Sequence, residues 1–436
     1  MKKWIALLLA IIIMSSASGC GTSQPAPTET IESEVPATEY LPYEGETLTV
    51  LYMSGEHAET ARAMIPDFEA LTGAKVVVVD YAYQDLYNQA LLDLTSYIGS
   101  YDVINIDSLW DGTFAPYLEP LDEYISQDKY DMNVWIDNVL ANCGQWQDQI
   151  IGIPTSCMAQ VFAYRTDLLP NGIPKTWMAY RSALMPLNKP LNGMYGIAVS
   201  KMPDQLLNLF NSVLWSMDGR WADEDWKVTI NSMPARSALN HMNAVKLYSD
   251  PACKEWSPSD ALQAFLDGKA AVCETFPLPE LLQKGNDPEH SQIVDNWALG
   301  LIPYEKNGIN TLTAWDAVIP VGSQNKKLAW EWIKMYTSYE KQNEFYDDFG
   351  ILSPRKEFWE QDKMADLSVV REAIDTANNG WRISAFRAAE ANIKDTLASF
   401  VTAKIYQDTA IRRMDAEIKT VLENIPVAEG IKNNNR

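Results

Sequence analysis

The sequence is poor in basic residues and almost lacks histidine. Its 436 residues include 35 Lys and Arg against 58 Asp and Glu, which gives a formal net charge of −23. Such an acidic chain would repel nucleic acid, whose binding depends on basic side chains that contact phosphates. Only His57, His241 and His290 are present, without HxH or HExxH spacing. We therefore expect no nucleic-acid partner, no histidine-based metal site and no cofactor.

Catalytic motifs and long hydrophobic runs are missing as well. The chain contains no GxSxG, GxGxxG, GxxxxGK or EF-hand pattern and no internal repeat. The longest apolar run, residues 4–14, is too short to cross the roughly 30 Å hydrocarbon core of a membrane as a helix. These absences disfavour a nucleotide-dependent enzyme, a repeat protein and an integral membrane protein.

The first nineteen residues have the pattern of a secretory signal peptide. Two lysines precede the apolar run, and Ala17-Ser18-Gly19-Cys20 closes it. Small residues directly before a cysteine resemble the bacterial lipobox. This resemblance implies cleavage before Cys20, diacylation of its sulfur, and a protein anchored by lipid on the extracellular face of the cell membrane. An ordinary signal peptide with a chance cysteine is the alternative.

Residues 20–45 are rich in Pro, Ser, Thr and Glu and predict a flexible tether. The body beyond it contains four further cysteines and no CxxC pattern. Because a chain of this length can bury a sizeable core without disulfides, we expect these cysteines to be free and buried: Cys143, Cys157, Cys253 and Cys273.

The body alternates strand and helix, which predicts an α/β fold with a parallel sheet. Residues 47–53 read as a buried strand, and a helix follows with Ala61, Met64, Ile65, Phe68 and Leu71 on one face, ending at Gly73. Residues 75–80 are nearly all apolar, as in a parallel strand covered on both faces. Residues 102–107 form a third strand.

Seven segments resemble landmarks of the sugar-type extracellular solute-binding proteins of bacterial ABC importers, the family that includes maltose-binding protein. They occur in the order found in that family and cover about residues 46 to 425. The segments are Phe68–Val76, Tyr101–Asp107, Leu118–Asp122, Ile151–Pro154 with Tyr164–Leu169, Ala264–Val272, Ile319–Lys327, and Ala329–Lys334.

The resemblance implies a type II periplasmic-binding-protein fold, in which the chain crosses three times between two α/β lobes that enclose a ligand cleft. One lobe would comprise 46–155 plus 303–350, the other 158–300 plus 354–425, and 426–436 would fray. The crossings would lie near residues 154–156, 300–303 and 350–353. Hinge closure would encase the ligand, and the protein would work as a monomer with ABC permease subunits as partners.

A carbohydrate ligand calls for aromatic faces beside carboxylates and other hydrogen-bonding groups. Strand ends and family positions supply the candidates Ser54, Glu56, Tyr83, Asp107, Trp110, Trp215, Glu274, Phe276, Trp315, Asp316, Arg355 and Arg387. Several have ordinary structural alternatives, such as helix capping by Ser54, a core position for Tyr83 and a hinge cap for Arg355. Arg387 replaces an aromatic platform of some relatives, which suggests a smaller or acidic sugar.

The leading hypothesis is a receptor without turnover that delivers a mono- or oligosaccharide to an ABC importer. A second hypothesis keeps the fold but changes the ligand to a polyamine, peptide or phosphodiester. A third is a secreted glycoside hydrolase that uses two carboxylates. The order of the segments and the absence of a βα-barrel repeat disfavour the hydrolase.

Overall fold

The computed structural model describes residues 41–423 with the exceptions of 224, 307 and 383. The predicted signal peptide, the lipidation site Cys20 and the tail from residue 426 lie outside the described residues. The tether is described only from Leu41, and there it already contacts the body, because the Tyr43 amide donates to the Thr72 carbonyl at 2.9 Å.

Eleven strands occur in the described part of the chain, in two main sheets and one short hairpin. They are β1 (Thr47–Met53), β2 (Lys75–Tyr81), β3 (Val103–Asp107), β4 (Gln145–Trp146), β5 (Gln149–Ile150), β6 (Gly152–Ala159), β7 (Val161–Arg165), β8 (Tyr195–Ala198), β9 (Ala270–Cys273), β10 (Trp297–Leu301) and β11 (Leu312–Val318).

The same described residues form fifteen α-helices. They are α1 (Glu56–Thr72), α2 (Tyr83–Ser96), α3 (Asp111–Phe114), α4 (Asp122–Asp128), α5 (Asp137–Asn142), α6 (Trp177–Leu184), α7 (Pro203–Ser216), α8 (Met233–Tyr248), α9 (Pro258–Leu266), α10 (Leu278–Lys284), α11 (Lys326–Tyr336), α12 (Tyr339–Phe349), α13 (Ser368–Thr376), α14 (Ser384–Val401) and α15 (Gln407–Glu423).

The first lobe is built on a five-stranded sheet of order β2-β1-β3-β11-β6. Strands β1, β2 and β3 are parallel, whereas β11 runs antiparallel to both β3 and β6. The prediction of a doubly covered second strand is wrong, because β2 lies at the sheet edge and Val77 is 46% exposed. The strand that is buried at every position is β3, in the middle of the sheet.

Helix α1 follows its apolar spacing closely. Ala61, Met64 and Phe68 are fully buried against the sheet, and Gly73 ends the helix in the left-handed conformation at φ 79°, as predicted. Leu71 was expected on the same face but is 62% exposed. Thr72, which lies four residues after Phe68 and is 2% exposed, continues the buried face instead.

The second lobe contains a four-stranded sheet of order β10-β7-β9-β8. Helices α7, α8, α14 and α15 pack together beside it, and their buried positions include Leu209, Met242, Ile393 and Ile418. In the first lobe helices cover both faces of the sheet, α1 on one and α2 on the other. The α/β fold and the two lobes expected from the sequence are confirmed.

The chain passes between the sheets at sharply defined points. Strand β6 stays in the first sheet through Ala159, and β7 enters the second sheet at Val161, so the change occurs at Gln160, a few residues beyond the predicted 154–156. Residues 302–311 link β10 of the second sheet to β11 of the first. Near the third predicted crossing, the Cys157 amide donates to the Leu352 carbonyl at 3.1 Å.

The four body cysteines are buried and unpaired. Burial raises the pKa of the thiols of Cys143, Cys157 and Cys273 above the usual range, which suits core residues rather than nucleophiles. Among the described helices, none combines the length and the apolar character needed to cross a bilayer.

Candidate functional site

A cavity of about 580 Å³ lies between the two lobes. Three groups of residues enclose it. The first-lobe wall consists of Met53, His57, Tyr83, Asp107, Leu109 and Trp315. The second-lobe wall includes Asp204, Asn208, Asn211, Trp215, Trp221, Phe276, Trp381, Phe386, Arg387, Glu390 and Lys394. Met158, Thr311, Leu312 and Thr313 of the linking strands, together with Asn379 and Gly380, contribute the remaining surface.

The first-lobe wall sits where strands of the first sheet end. Met53 closes β1, and Tyr83 begins α2 just after β2. Asp107 closes β3 and accepts a hydrogen bond from the Leu109 amide at 2.9 Å, which caps the short 3₁₀ helix that follows. Its other oxygen accepts from the Tyr83 hydroxyl at 2.9 Å. The parallel topology thus brings Met53, Tyr83 and Asp107 to one edge of the sheet.

The ionisation of Asp107 is tuned by its surroundings. Burial raises the pKa of Asp107 to about 6, although the hydrogen bonds from Leu109 and Tyr83 and the Arg387 charge favour the ionised form. Burial and the neighbouring Asp107 also raise the pKa of Tyr83 well above its usual range. At neutral pH the pair is a carboxylate held by a phenol that keeps its proton.

His57 and Trp315 form the aromatic part of the first-lobe wall. Their ring centroids are 4.6 Å apart, and the Tyr83 ring lies edge-on to Trp315 at 6.1 Å. Burial lowers the pKa of His57 to about 4, so its imidazole is neutral at physiological pH. Trp110 supports these rings from below at 5.1 Å from Tyr83 and 5.9 Å from Trp315.

The second-lobe wall carries most of the charge. Helices α7 and α14 pack together and present Asp204, Arg387, Glu390 and Lys394 to the cavity. These charges are paired with one another: Arg387 binds Glu390 at 2.7 Å, and Lys394 forms ion pairs with Asp204 and, at 3.5 Å, with Glu390. The Arg387 guanidinium also lies 4.9 Å from the Tyr87 ring of the first lobe.

A second group of aromatic rings faces the first across the cavity. Trp381 packs against Trp226 at 5.4 Å and Phe386 at 5.3 Å, and Phe386 contacts Trp221 at 6.0 Å. Trp215 lies against the backbone of Gly380, where a Cβ would come within 3.2 Å of the indole ring. The φ of 79° at Gly380 also favours glycine. The cavity is therefore bounded by aromatic faces on both sides.

Half of the twelve residues predicted for the site line this cavity. They come from both lobes and from sequence positions more than 300 residues apart. The six are Tyr83, Asp107, Trp215, Phe276, Trp315 and Arg387.

Three other predicted residues belong to the protein interior. Trp110 is fully buried beneath the cavity wall. Glu274 is buried in the second lobe, where it accepts from Tyr180 at 2.6 Å and contacts His241 at 3.1 Å. Asp316 follows Trp315 within β11, and because successive strand side chains point in opposite directions, it faces away from the cavity.

The remaining three lie outside the cavity. Ser54 is exposed and donates to Asp80 at 2.5 Å, and Glu56 is exposed at the start of α1. Arg355 binds Glu357 at 2.8 Å and the Thr337 carbonyl at 2.9 Å near the third crossing. This matches the structural alternative of a hinge cap.

Sequence reasoning missed much of the cavity wall. His57 lies one residue beyond the predicted Ser54–Glu56 turn and could have been found from that turn. Helical positions such as Asn208, Asn211, Glu390 and Lys394 gave no comparable signal, because their spacing resembles that of an ordinary polar helix face. The segment 313–316, which carries Trp315, forms part of the central strand β11.

The family can now be assigned from comparison with known proteins. Residues 54–343, more than half of the chain, match the family model described as bacterial extracellular solute-binding protein. The chain belongs to this family. A curated relative from Sinorhizobium fredii, named "Probable amino-acid ABC transporter periplasmic-binding protein", is 24% identical over 312 residues, which cover 68% of this chain and 70% of the relative.

Two solved structures, each with a bound ligand, have a fold similar to that of this chain. An ABC transporter solute-binding protein from Agrobacterium radiobacter, in complex with ribitol, has a TM-score of 0.75 at 21% identity and covers 87% of this chain and 100% of its own. Maltose-bound MalE3 of T. maritima has a TM-score of 0.74 at 21% identity, with coverages of 86% and 99%. The resemblance predicted from the sequence is confirmed.

These comparisons identify the fold as the MalE-like type II fold with two sheet-containing lobes. The family and the fold are those of extracellular binding proteins for ABC transporters, not of enzymes. The hydrolase hypothesis therefore has no support.

Proposed function

We propose that this solute-binding protein captures a small carbohydrate, a sugar or sugar alcohol, in the cavity between its lobes. The observation that carries this proposal is the composition of the walls. Aromatic faces from Trp315 on one side and Trp215 and Trp381 on the other suit the apolar C–H face of a polyol. Asp107 and the amides of Asn208 and Asn211 suit its hydroxyl groups.

The charge arrangement supports an uncharged ligand. An amino acid, as the name of the Sinorhizobium relative suggests, needs one partner for its carboxylate and another for its ammonium group. The cations of the cavity, Arg387 and Lys394, are already paired with Glu390 and Asp204. The carboxylate of an amino acid would have to break these pairs to reach a cation, which costs more than binding hydroxyl groups to the free edges of the paired side chains.

A ligand panel tests the proposal. The purified protein is titrated with ribitol, mannitol, tagatose and maltose, and separately with glutamate, leucine and putrescine, by calorimetry and by thermal unfolding. A ligand at 100 times its Kd should stabilise the protein by about 2.7 kcal/mol. We expect at least one polyol or sugar to do so and Asp107→Asn to weaken it. Stabilisation by an amino acid or putrescine alone, or by none of the panel, would overturn the proposal.

Delivery to an ABC permease and a lipid anchor at Cys20 complete the proposed function. The family supports the permease partner, and the Ala17-Ser18-Gly19-Cys20 sequence supports the anchor. Cells grown with an alkyne fatty acid should label the wild-type protein and Cys253→Ser, a matched change at a buried cysteine. Cys20→Ser should lose the label and appear in the medium, whereas equal labelling of all three would contradict the anchor.

A further inference from the structure

Three tryptophans at the cleft are each followed directly by a charged residue: Trp110-Asp111, Trp315-Asp316 and Trp381-Arg382. Trp315 and Trp381 line the cavity from opposite sides, and Trp110 packs beneath Trp315. The charged residues meet behind the cavity and form what we call the Asp–Arg cluster, which consists of Asp111, Asp316 and Arg382. Both carboxyl groups are fully buried, and Arg382 is 6% exposed.

Arg382 links the segment that carries Trp381 to the first lobe. One guanidinium nitrogen, Nη1, donates to Asp111 Oδ2 at 2.9 Å and to the Gln145 carbonyl at 3.0 Å. The other, Nη2, donates to the Ala141 carbonyl at 3.3 Å, and the group lies 5.5 Å from the Trp146 ring centroid. Such a set of contacts uses the planar fork of an arginine and would not be reproduced by lysine.

Two glycines give the cluster the space it occupies. A Cβ on Gly112 would lie 2.0 Å from the Arg382 carbonyl oxygen, and a Cβ on Gly152 would lie 2.0 Å from Asp316 Oδ2. Any other residue at these positions would push the cluster apart. The backbone at Gly112 and at Gly152 therefore approaches the cluster too closely for a side chain.

The charges of the cluster do not balance by themselves, since two carboxyl groups share one guanidinium. Neither Asp316 oxygen accepts from an N–H or O–H group among the described residues. Burial raises the pKa of both carboxyl groups, which also face Asp107 and the Cys143 thiol. Because Arg382 donates to Asp111, the neutral form is favoured more strongly at Asp316 than at Asp111.

We propose that Asp111, Asp316 and Arg382 are positioning residues that fix Trp381 and Trp315 at the correct separation for the ligand without touching it. Arg382 holds the Trp381 segment against the first lobe, and Asp316 packs beside it below Trp315. The significance for binding rests on the proposed function, since it requires the cavity to be the ligand site.

Fluorine NMR of the unliganded protein labelled with 5-fluorotryptophan tests the positioning. The Trp315 and Trp381 resonances are assigned with Trp→Phe variants. We expect Arg382→Gln to shift both by more than a linewidth, whereas Asp316→Asn should leave them nearly in place because an amide replaces a protonated carboxyl group. Unmoved resonances in Arg382→Gln would overturn the proposal.

Removing Arg382 alone strands the buried Asp111 charge and can prevent folding. The double variant Asp111→Asn with Arg382→Gln removes the ion pair without leaving a charge. It should fold and still show shifted Trp315 and Trp381 resonances. Wild-type resonance positions in this folded double variant would overturn the proposal as well.

Arg355 supplies a matched control. It also binds a carboxylate, Glu357, and a carbonyl, and it lies 5.3 Å from the ring of Trp135, but it is outside the cavity. Arg355→Gln should leave the Trp315 and Trp381 resonances unchanged. Equal shifts in both arginine variants would indicate a general loss of stability and refute a specific positioning role.

Ribitol, mannitol, tagatose and maltose, added in a second step, separate this inference from the proposed function. If any of the four binds the wild type, the folded double variant should bind that ligand at least tenfold more weakly, and unchanged affinity would refute the role in binding. If none of the four binds the wild type, the proposed function fails while the resonance measurements still decide whether the cluster positions the tryptophans.

Discussion

The two walls of the cavity are built in different ways. The first-lobe wall grows out of the sheet: its residues lie at the ends of β1, β2 and β3 or within β11, and their rings continue into the core through Trp110 and Phe114. The charged residues of the second-lobe wall lie on helices α7 and α14 and form ion pairs with one another.

This difference predicts that one wall fixes the shape of the cavity and that the other determines which ligand binds. A wall that is continuous with the core cannot change without loss of stability, because its side chains fill space on both sides. The paired charges on α7 and α14 can change while the fold is kept, whereas the buried rings of the same wall, Trp215, Trp221 and Phe386, belong to the core as well. We infer that the first-lobe wall provides a constant aromatic floor and that the second-lobe wall determines which solute is accepted.

The largest expected effect comes from removing one tryptophan on each side. Trp315→Ala should lower the free energy of unfolding by about 3–5 kcal/mol, because Trp315 is 5% exposed and packs on His57, Tyr83 and Trp110. Trp381→Ala should cost only about 1–2 kcal/mol, since Trp381 is partly exposed. Urea denaturation measures both. Equal losses would contradict the distinction between the walls.

The same distinction explains how much could be predicted from the sequence. Strand periodicity and the Gly73 helix end located β1, α1 and β3, and parallel strands must bring their carboxyl ends to one edge. Tyr83 and Asp107 of the first-lobe wall follow from this rule, whereas Trp315 was named from a family position and lies in an antiparallel strand. In the second-lobe wall Trp215, Phe276 and Arg387 were named from family positions, but Glu390, the ion-pair partner of Arg387, was not.

The misses have physical causes. The apolar run of β2 predicted two covered faces, but which strand lies at an edge depends on the order of the whole sheet. Asp316 was predicted for the site, with Trp315, from a family position, yet neighbours in a strand point to opposite sides. Glu390 and Lys394 lie on a helix whose polar face contacts α7, a tertiary contact that one sequence does not encode locally.

Glu390 tests whether the second-lobe wall determines selectivity. Glu390→Gln removes the carboxylate that pairs with Arg387 and Lys394. We expect affinity for the neutral ligand to fall about tenfold, as one or two charged hydrogen bonds are lost, and binding of an anionic analogue such as gluconate to rise. Calorimetry measures the affinity for both ligands. An unchanged ratio of the two affinities would indicate that the first-lobe wall determines selectivity.

Asp107 tests the electrostatics of the first-lobe wall. Burial raises the pKa of Asp107 to about 6, so the carboxylate that accepts hydrogen bonds is complete above that pH and is lost as the pH falls through it. Ligand affinity should fall about tenfold between pH 7 and pH 5 if only the ionised form binds. Titrations across this range should show the fall in the wild type and a flat profile in Asp107→Asn. A fall of equal size in the variant would assign the titration to another group.

The smallest effect defines where the first-lobe wall ends. Glu56 and His57 are neighbours in α1, but adjacent helical positions differ in direction by about 100°, so His57 lines the cavity and is 8% exposed whereas Glu56 faces solvent. His57→Gln should weaken ligand binding several-fold, through loss of the ring against Trp315, and Glu56→Gln should change it by less than about twofold. Paired titrations provide the comparison. A larger effect at Glu56 would mean that the ligand-bound lobes enclose more of the β1–α1 turn than the present cavity does, and the first-lobe wall would have to be extended to Ser54.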